Sequence, residues 1–156
     1  MKTETLFWKN GAVWILDQRK LPLETQYMEC RSFEEVAFAI EQLVVRGAPA
    51  IGIAAAFGVA LASRDGHQAA EASLSRLSCT RPTAVNLFWV LQRMKKLIDT
   101  TEDRSLFPCL VLEAEKMLEQ DVEVNRRLGG YGQTLLPDNP VVITHCNAGA
   151  LATGGY

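Results

Sequence analysis

The sequence contains no run of basic residues and has little net charge. Lys and Arg number 16 and Asp and Glu number 18, which gives a formal net charge of −2 over 156 residues. A nucleic-acid-binding protein normally carries a basic face or stripe, so we expect no nucleic-acid partner. No apolar segment follows a basic start at the N-terminus, which argues against secretion and favours a cytoplasmic protein.

Motifs for metal or nucleotide binding are also absent from the sequence. Its four cysteines share no C-x-x-C spacing, so a zinc site has little support and reduced thiols are the simplest interpretation. There is no glycine-rich nucleotide loop and no pair of carboxylates at catalytic spacing. The longest run of small apolar residues, Ala48 to Ala62, is too short to span a bilayer comfortably, and we interpret it as a buried helix with no membrane contact.

Two short apolar runs flank Asn10 and Gly11 near the N-terminus. Both residues tolerate positive φ, and Asn-Gly between apolar runs is the strongest local signal for a β-hairpin. We therefore predict two strands within residues 6–16. A further strand is predicted over Thr25 to Cys30.

Helical signals begin at Ser32, where the apolar period changes. Ser32 and Glu35 have the spacing of a capping box, and the helix that follows is expected to stop near Arg46 and Gly47. Pro49 predicts the first position of a second helix, because proline needs no N–H donor there. Three more helices are predicted: over residues 67–77, from Pro82 onward, and over residues 106–128 with Gly129 and Gly130 ending it.

The β-branched run of residues 140–145 predicts a strand buried on both faces, as in a parallel sheet. The predicted fold class is therefore α+β with an α/β part. A small N-terminal β element and a helical domain are followed by the first strand of a Rossmann-like α/β domain that is truncated. The predicted boundaries are residues 1–30 for the β element, 31–132 for the helical domain, and 133–156 for a linker and the first strand and turn of the incomplete domain.

Arg46, Gly47 and Ala48 lie where one predicted helix ends and the next begins. Free N–H groups and the positive end of the helix dipole favour an anion at such a start, and Arg46 can hold a phosphate through two hydrogen bonds. Arg81, directly before Pro82, repeats the arrangement, so both arginines can converge on one anion if the fold brings them together. The alternative at each position is a capped turn with an exposed arginine.

Cys146 follows the predicted strand, at the end of an α/β sheet where ligands bind. A thiol in a partly dry pocket can act as an acid, a base or a nucleophile when its pKa suits the task. The alternative is a small buried side chain, since free cysteine is often buried. His145 would point to the opposite face of the strand, so a Cys-His dyad is not predicted.

Four segments carry a resemblance that is more specific than any single motif: Leu16–Pro22, Val45–Gly52, Arg81–Leu87 and Thr144–Gly149. In this order they resemble the methylthioribose-1-phosphate isomerase family of methionine salvage. The resemblance runs along the whole chain but covers only the N-terminal part of the family's length. It implies a small sugar-phosphate substrate, an aldose–ketose isomerisation, no metal or organic cofactor, and a homodimer in the full-length family.

The resemblance also implies roles for the residues described above. Arg46, Gly47, Ala48 and Arg81 would bind the substrate, chiefly its phosphate, and Cys146 would be the catalytic cysteine. Its proton-donating partner in the family is an aspartate on a later strand, outside this sequence. We therefore expect the chain to supply one side of an active site and to be inactive alone.

Two other members of the same fold family remain as alternatives. A ribose-1,5-bisphosphate isomerase would need a second basic cluster for its second phosphate. A regulatory subunit of the exchange factor for translation initiation factor two would bind and assemble without catalysis. The turns at residues 46–49 and 146–149 favour a sugar-phosphate isomerase over the regulatory subunit, and Leu16–Pro22 favours the methylthioribose enzyme.

Overall fold

The computed structural model describes residues 4–156, so the first three residues of the predicted 1–30 element lie outside the described residues. Within this range the strands form one antiparallel sheet in the order β1-β2-β3. Its strands are β1 (Leu6–Lys9), β2 (Ala12–Leu16) and β3 (Tyr27–Cys30). Asn10 and Gly11 have φ of 52° and 73°, which confirms the predicted hairpin and its Asn-Gly turn.

Five α-helices follow the sheet in the described part of the chain, and two short 3₁₀ turns accompany them. The helices are α1 (Phe33–Glu41), α2 (Ala48–Ala62), α3 (His67–Ser78), α4 (Val85–Thr100) and α5 (Asp103–Gln133), and the 3₁₀ turns span Ser63–Asp65 and Ala150–Ala152. None of the helices in residues 4–156 has the length and apolar character needed to cross a membrane. The small sheet and the helices that follow it confirm the predicted β element and helical part.

Helix α1 begins as predicted but ends earlier than predicted. Ser32 accepts from the backbone of Glu35, and the Glu35 carboxylate accepts from the backbone of Ser32, which is the capping box. The expected end near Arg46 is wrong, because Leu43 adopts a left-handed φ of 58°. The Val44 N–H then donates to the Ala39 carbonyl at 2.9 Å, a Schellman ending that here forms without glycine.

Helix α2 is the centre of the molecule. Every residue from Ala50 to Ala62 is buried, and α2 contacts α1, α3, α4 and α5. The ring of Phe57 stacks on Trp8 of β1 with centroids 5.5 Å apart, which joins α2 to the sheet. Gly47 is the N-cap and Ala48 the first helical residue, so Pro49 takes the second position rather than the predicted first. Proline is still tolerated there because the first-turn N–H groups have no intrahelical partner.

Two predicted helix boundaries are wrong. Helix α4 begins at Val85, and Pro82 lies in the preceding turn, where the Ala84 N–H donates to the Arg81 carbonyl at 3.0 Å. Helix α5 continues through Gly129 and Gly130 to Gln133 instead of ending there. Glycine in a helix costs about 1 kcal/mol relative to alanine, which weakens a helix without ending it.

The strand predicted over residues 140–145 is wrong for this structure. These residues form neither a strand nor a helix, and Val141 and Ile143 are 97% and 94% exposed. A strand needs a neighbour to pair its backbone groups. Within residues 4–156 all three strands belong to the N-terminal sheet, so no parallel partner is present for this run.

Candidate functional site

The start of α2 presents unpaired backbone donors to its surroundings. Its N-cap is Gly47, with φ of 97°, and within the described residues no side chain caps this end. The first paired amide is that of Ile51, which donates to the Gly47 carbonyl at 2.9 Å. Ala48 is exposed. A helix start with free N–H groups and no capping side chain is suited to an anion.

Arg46 lies beside this helix start with part of its guanidinium unused. Its Nη2 donates to the Gln18 carbonyl at 3.2 Å. Its Nε is buried and has no hydrogen-bond partner within residues 4–156. A buried donor without a partner costs about 1–3 kcal/mol, so the arrangement favours an acceptor that would pair with it.

The segment that follows Cys146 folds back onto the start of α2. A Cβ placed on Gly47 would lie 2.3 Å from both the Cα and the O of Ala152, so only glycine permits this approach. Two further hydrogen bonds hold the same segment. The Ala150 carbonyl accepts from the Thr5 hydroxyl at 2.6 Å, and the Leu151 carbonyl accepts from the Gln18 side-chain amide at 2.7 Å.

Helix α5 holds the other end of this segment. The Gly154 N–H donates to the Asp121 carboxylate at 2.6 Å, and a Cβ on Gly154 would lie 2.8 Å from Leu118 Cδ1. The segment of residues 150–154 therefore runs from the sheet, past the start of α2, to α5. These contacts bring residues 150–154, which follow Cys146 in the chain, against the start of α2.

Cys146 lies four residues before Ala150, outside the segment of residues 150–154, with φ of 64°. Its side chain is exposed in this structure. Cys30 shows the contrast, because burial raises the pKa of its thiol to about 12. A thiol such as that of Cys30 stays protonated near neutral pH and takes no part in acid–base chemistry.

Arg81 is half-buried in the turn before α4. A cavity of about 660 Å³ lies between α2, α4 and α5, and its walls include Pro49, Asn86 and Trp89. Neither Arg46 nor Arg81 is among the described residues that line this cavity. The sharing of one anion by Arg46 and Arg81 therefore stays a prediction, and so do the roles of Gly47, Ala48 and Cys146.

Three residues that anchor the segment of residues 150–154 by hydrogen bonds were not predicted from the sequence. Thr5, Gln18 and Asp121 each bond to the backbone of residues 150–154. Gln18 lies within the Leu16–Pro22 segment. The resemblance of this segment to the isomerase family was the one sequence signal that could have indicated a role for Gln18. Thr5 and Asp121 carried no signal, because a single polar residue beside a strand or on a long helix is ordinary.

A family model described as the initiation factor 2 subunit family matches residues 44–154 of the chain. Methylthioribose-1-phosphate isomerase from Thermotoga maritima is 49% identical over an alignment of 162 positions that covers all of this chain and 47% of the relative. The enzyme of the same name from Desulforudis audaxviator is 46% identical, with the same coverage of both chains. The chain thus spans about half the length of the curated relatives it matches.

Two solved structures are also similar to the chain. The 5-methylthioribose 1-phosphate isomerase of Pyrococcus horikoshii has a TM-score of 0.88 at 42% identity, over 97% of this chain and 45% of the other. The translation initiation factor eIF-2B, subunit delta, from A. fulgidus has a TM-score of 0.84, also at 42% identity, over 97% of this chain and 47% of the other. A similar backbone fold thus occurs in two proteins whose names describe different functions.

Proposed function

The chain belongs to the initiation factor 2 subunit family, and we propose that its protein isomerises 5-methylthioribose 1-phosphate to 5-methylthioribulose 1-phosphate. Curated relatives that bear the isomerase name, at 46–49% identity over all of this chain, support the proposal. The observation that carries it is the contact between Gly47 and Ala152. Through this contact the start of α2, with its arginine, lies beside residues 150–154, which follow the candidate catalytic cysteine in the chain.

We assign the substrate's phosphate to the start of α2. The free N–H groups after Gly47 and the unpaired Nε of Arg46 are donors, and phosphate oxygens are acceptors that such donors bind well. Arg81 is assigned as a second side chain that binds the same phosphate. Gly47 and Ala48 are assigned to the same phosphate site through their place at the start of α2.

Cys146 is assigned the acid–base role. A phosphate on carbon 1 keeps the sugar in its ring form, so ring opening needs an acid before hydrogen moves between carbons 2 and 1. The thiol of Cys146 is exposed, and its chain continues into the segment of residues 150–154 that contacts the start of α2. The proton-donating aspartate is assigned to the half of the relatives' length that this chain does not span. We further propose a cytoplasmic homodimer that acts in methionine salvage, with residues 1–156 inactive alone.

A second candidate is a non-catalytic subunit of an initiation-factor assembly. The structural similarity to the eIF-2B delta subunit, nearly as high as that to the isomerase, favours it. The unpaired Arg46 donor and the exposed Cys146 thiol favour catalysis instead. A ribose-1,5-bisphosphate isomerase is the remaining alternative, and it would turn over the doubly phosphorylated sugar in preference.

A coupled isomerase assay on the complete protein encoded by the gene tests the proposal. We expect turnover of methylthioribose 1-phosphate, and a fall in kcat of about 10²–10⁴-fold in Cys146→Ser, because a hydroxyl is a much weaker acid than a thiol. Arg46→Ala should raise KM, since it removes a phosphate ligand. Cys79→Ser, which changes another exposed cysteine, is the control and should keep wild-type kinetics.

Two results would count against the isomerase, and a third would count against the role of its thiol. Complete protein without turnover would favour the assembly subunit, and preference for ribose 1,5-bisphosphate would favour the alternative enzyme. Full activity in Cys146→Ser would remove the assigned role of the thiol. Residues 1–156 alone should show no turnover, and mixing them with a separately expressed remainder should restore it if the two halves assemble.

A further inference from the structure

Buried polar side chains cluster where β2 leaves the sheet. Asp17 and Gln18 are each only 5% exposed, and Thr5 beside them is fully buried. Burying a polar side chain costs free energy unless it forms hydrogen bonds. Each of these side chains does so, and two of the three bond to residues more than 130 positions away.

The backbone of Gln18 is fixed without help from its own side chain. Its N–H donates to the Val44 carbonyl at 3.0 Å. On one side of it, Asp17 accepts from Arg19 through both carboxylate oxygens, at 2.8 and 2.7 Å. This pairing with Arg19 lowers the pKa of the Asp17 carboxyl, so Asp17 is ionised near neutral pH.

With its backbone fixed, Gln18 contacts both parts of the candidate site. Its carbonyl accepts from Arg46 Nη2 at 3.2 Å, next to the start of α2. Its side-chain amide donates to the Leu151 carbonyl at 2.7 Å, in the segment that follows Cys146. Gln18 is therefore hydrogen-bonded both to Arg46 and to the segment of residues 150–154, which begins four residues after Cys146.

We propose that Gln18 is a positioning residue: by holding Leu151, it fixes the point at which the chain that carries Cys146, five residues earlier, is anchored beside Arg46. The inference rests on the proposed function for its kinetic consequence, but its geometric part concerns only this chain. Errors of about 1 Å in the placement of a reacting group can cost about 10²-fold in rate. The Gln18 amide and the neighbouring Thr5 hydroxyl limit such errors by holding two successive carbonyls, those of Leu151 and Ala150.

Gln18→Met separates the two contacts. Methionine keeps the length of the side chain but removes the amide that donates to Leu151, while the bonds from the Gln18 backbone to Arg46 and Val44 remain. The matched control is Gln26→Met. Gln26 is exposed and its side chain bonds to Lys20, so the same change there leaves residues 146–154 untouched.

Amide hydrogen exchange and steady-state kinetics of the complete protein give two independent readouts. In Gln18→Met we expect exchange in residues 147–156 to be about threefold to tenfold faster, the effect of losing one hydrogen bond. We expect kcat to fall about tenfold or more while KM changes by less than about threefold, since Arg46 keeps its backbone acceptor. Gln26→Met should match the wild type in both readouts.

Gln18→Glu adds a pH-dependent readout that altered side-chain packing alone would not move. An ionised carboxylate cannot donate to the Leu151 carbonyl, whereas a protonated carboxyl can. Exchange in residues 147–156 of this variant should therefore slow toward the wild-type rate as pH falls through the pKa of the new carboxyl, after correction for intrinsic exchange. In Gln18→Met the excess over the wild type should not change with pH.

The outcomes separate this inference from the proposed function. Wild-type exchange and wild-type kcat in Gln18→Met would overturn the positioning role and leave the isomerase assignment standing. Faster exchange in an otherwise intact protein that has no isomerase activity would support the positioning role and overturn the isomerase. If Gln18→Met fails to fold, Gln18→Asn, whose amide is one methylene too short to reach Leu151, must give the same exchange and kinetic effects or the inference fails.

Discussion

Helices α2 and α5 are made of similar backbone but are stabilised in different ways. All residues of α2 from Ala50 onward are buried, although it contains proline and two glycines. Helix α5 is twice as long, yet its buried residues in the described chain are confined to its first half: Leu106, Leu110, Ala114 and Met117. Packing thus stabilises α2 over most of its length, whereas the second half of α5 is less covered and depends more on its own helical propensity.

The largest effect that should separate the two helices comes from their apolar side chains. Phe57→Ala in α2 removes a fully buried ring stacked on Trp8 and should lower the free energy of unfolding by about 3–5 kcal/mol. Leu128→Ala in α5 changes a side chain that is 67% exposed and should shift it by about 0.5 kcal/mol or less. Urea unfolding followed by circular dichroism measures both. Equal losses would mean that α5 is packed after all.

The next effect is expected at the N-cap of α2. Gly47→Ala should lower the free energy of unfolding by about 1–3 kcal/mol more than Gly149→Ala, because its Cβ would overlap Ala152. Both glycines have positive φ, and nothing in the described residues lies within 4 Å of a Cβ on Gly149. The Gly149 variant therefore measures the backbone strain alone. If the two variants unfold at the same urea concentration, the segment does not rest on α2.

Gly130 in α5 should respond in the opposite direction. Nothing in the described residues lies within 4 Å of a Cβ there, so Gly130→Ala gains helical propensity without a clash. We expect hydrogen exchange of residues 123–133 to slow by about twofold to fivefold, while the urea midpoint of global unfolding barely moves. A large rise of the global midpoint would instead show that this half of α5 unfolds together with α2.

The smallest effect is a pH dependence at the first turn of α5. His67 contacts Asp103 through Nδ1, and its Nε2 faces the Thr101 carbonyl at 2.8 Å and the Ile98 carbonyl at 3.1 Å. Asp103 is the main reason why the pKa of His67 is raised above 6.5, and the carbonyls add to it. The stabilisation is therefore complete below the unfolded pKa and is lost as pH rises through the raised folded pKa.

Midpoints of urea unfolding measured at about pH 6 and about pH 9 test whether the stability that His67 contributes is lost as pH rises. The wild type should lose more stability over that interval than His67→Gln, which keeps a neutral side chain at both values. The carboxyl of Asp103 adds nothing to the difference, because its pKa is lowered and it stays ionised throughout. An equal loss in both proteins would show that the corner of α5 is not held by His67.

The features that could be predicted from the sequence are those fixed by neighbouring residues. The hairpin follows from Asn10 and Gly11, and the start of α1 follows from Ser32 and Glu35, because each signal acts over a few positions. The end of α1 was wrong because Leu43 takes a conformation that usually belongs to glycine. Burial of Val44 and Val45 accompanies this turn, and such tertiary packing leaves no mark on local sequence.

The candidate residues follow from the sequence, but the contacts around them do not. Arg46, Gly47 and Cys146 were proposed from motif and resemblance and stay predictions, whereas the hydrogen bonds of Thr5 and Gln18 join residues at opposite ends of the chain. Hydrogen bonds between residues so far apart in the sequence form only when the whole chain has folded. The strand over residues 140–145 was wrong for a related reason, because an apolar run becomes a strand only when a partner strand lies beside it.

The cavity beside the start of α2 has a consequence for spectroscopy. Its wall includes the indole of Trp89, which is 56% exposed, while Trp8 and Trp14 are partly covered within the N-terminal sheet. Soluble quenchers such as iodide reach an exposed indole first, so they act on Trp89 before the other two. The intrinsic fluorescence of Trp89 is therefore a label-free reporter of molecules that enter between α2, α4 and α5.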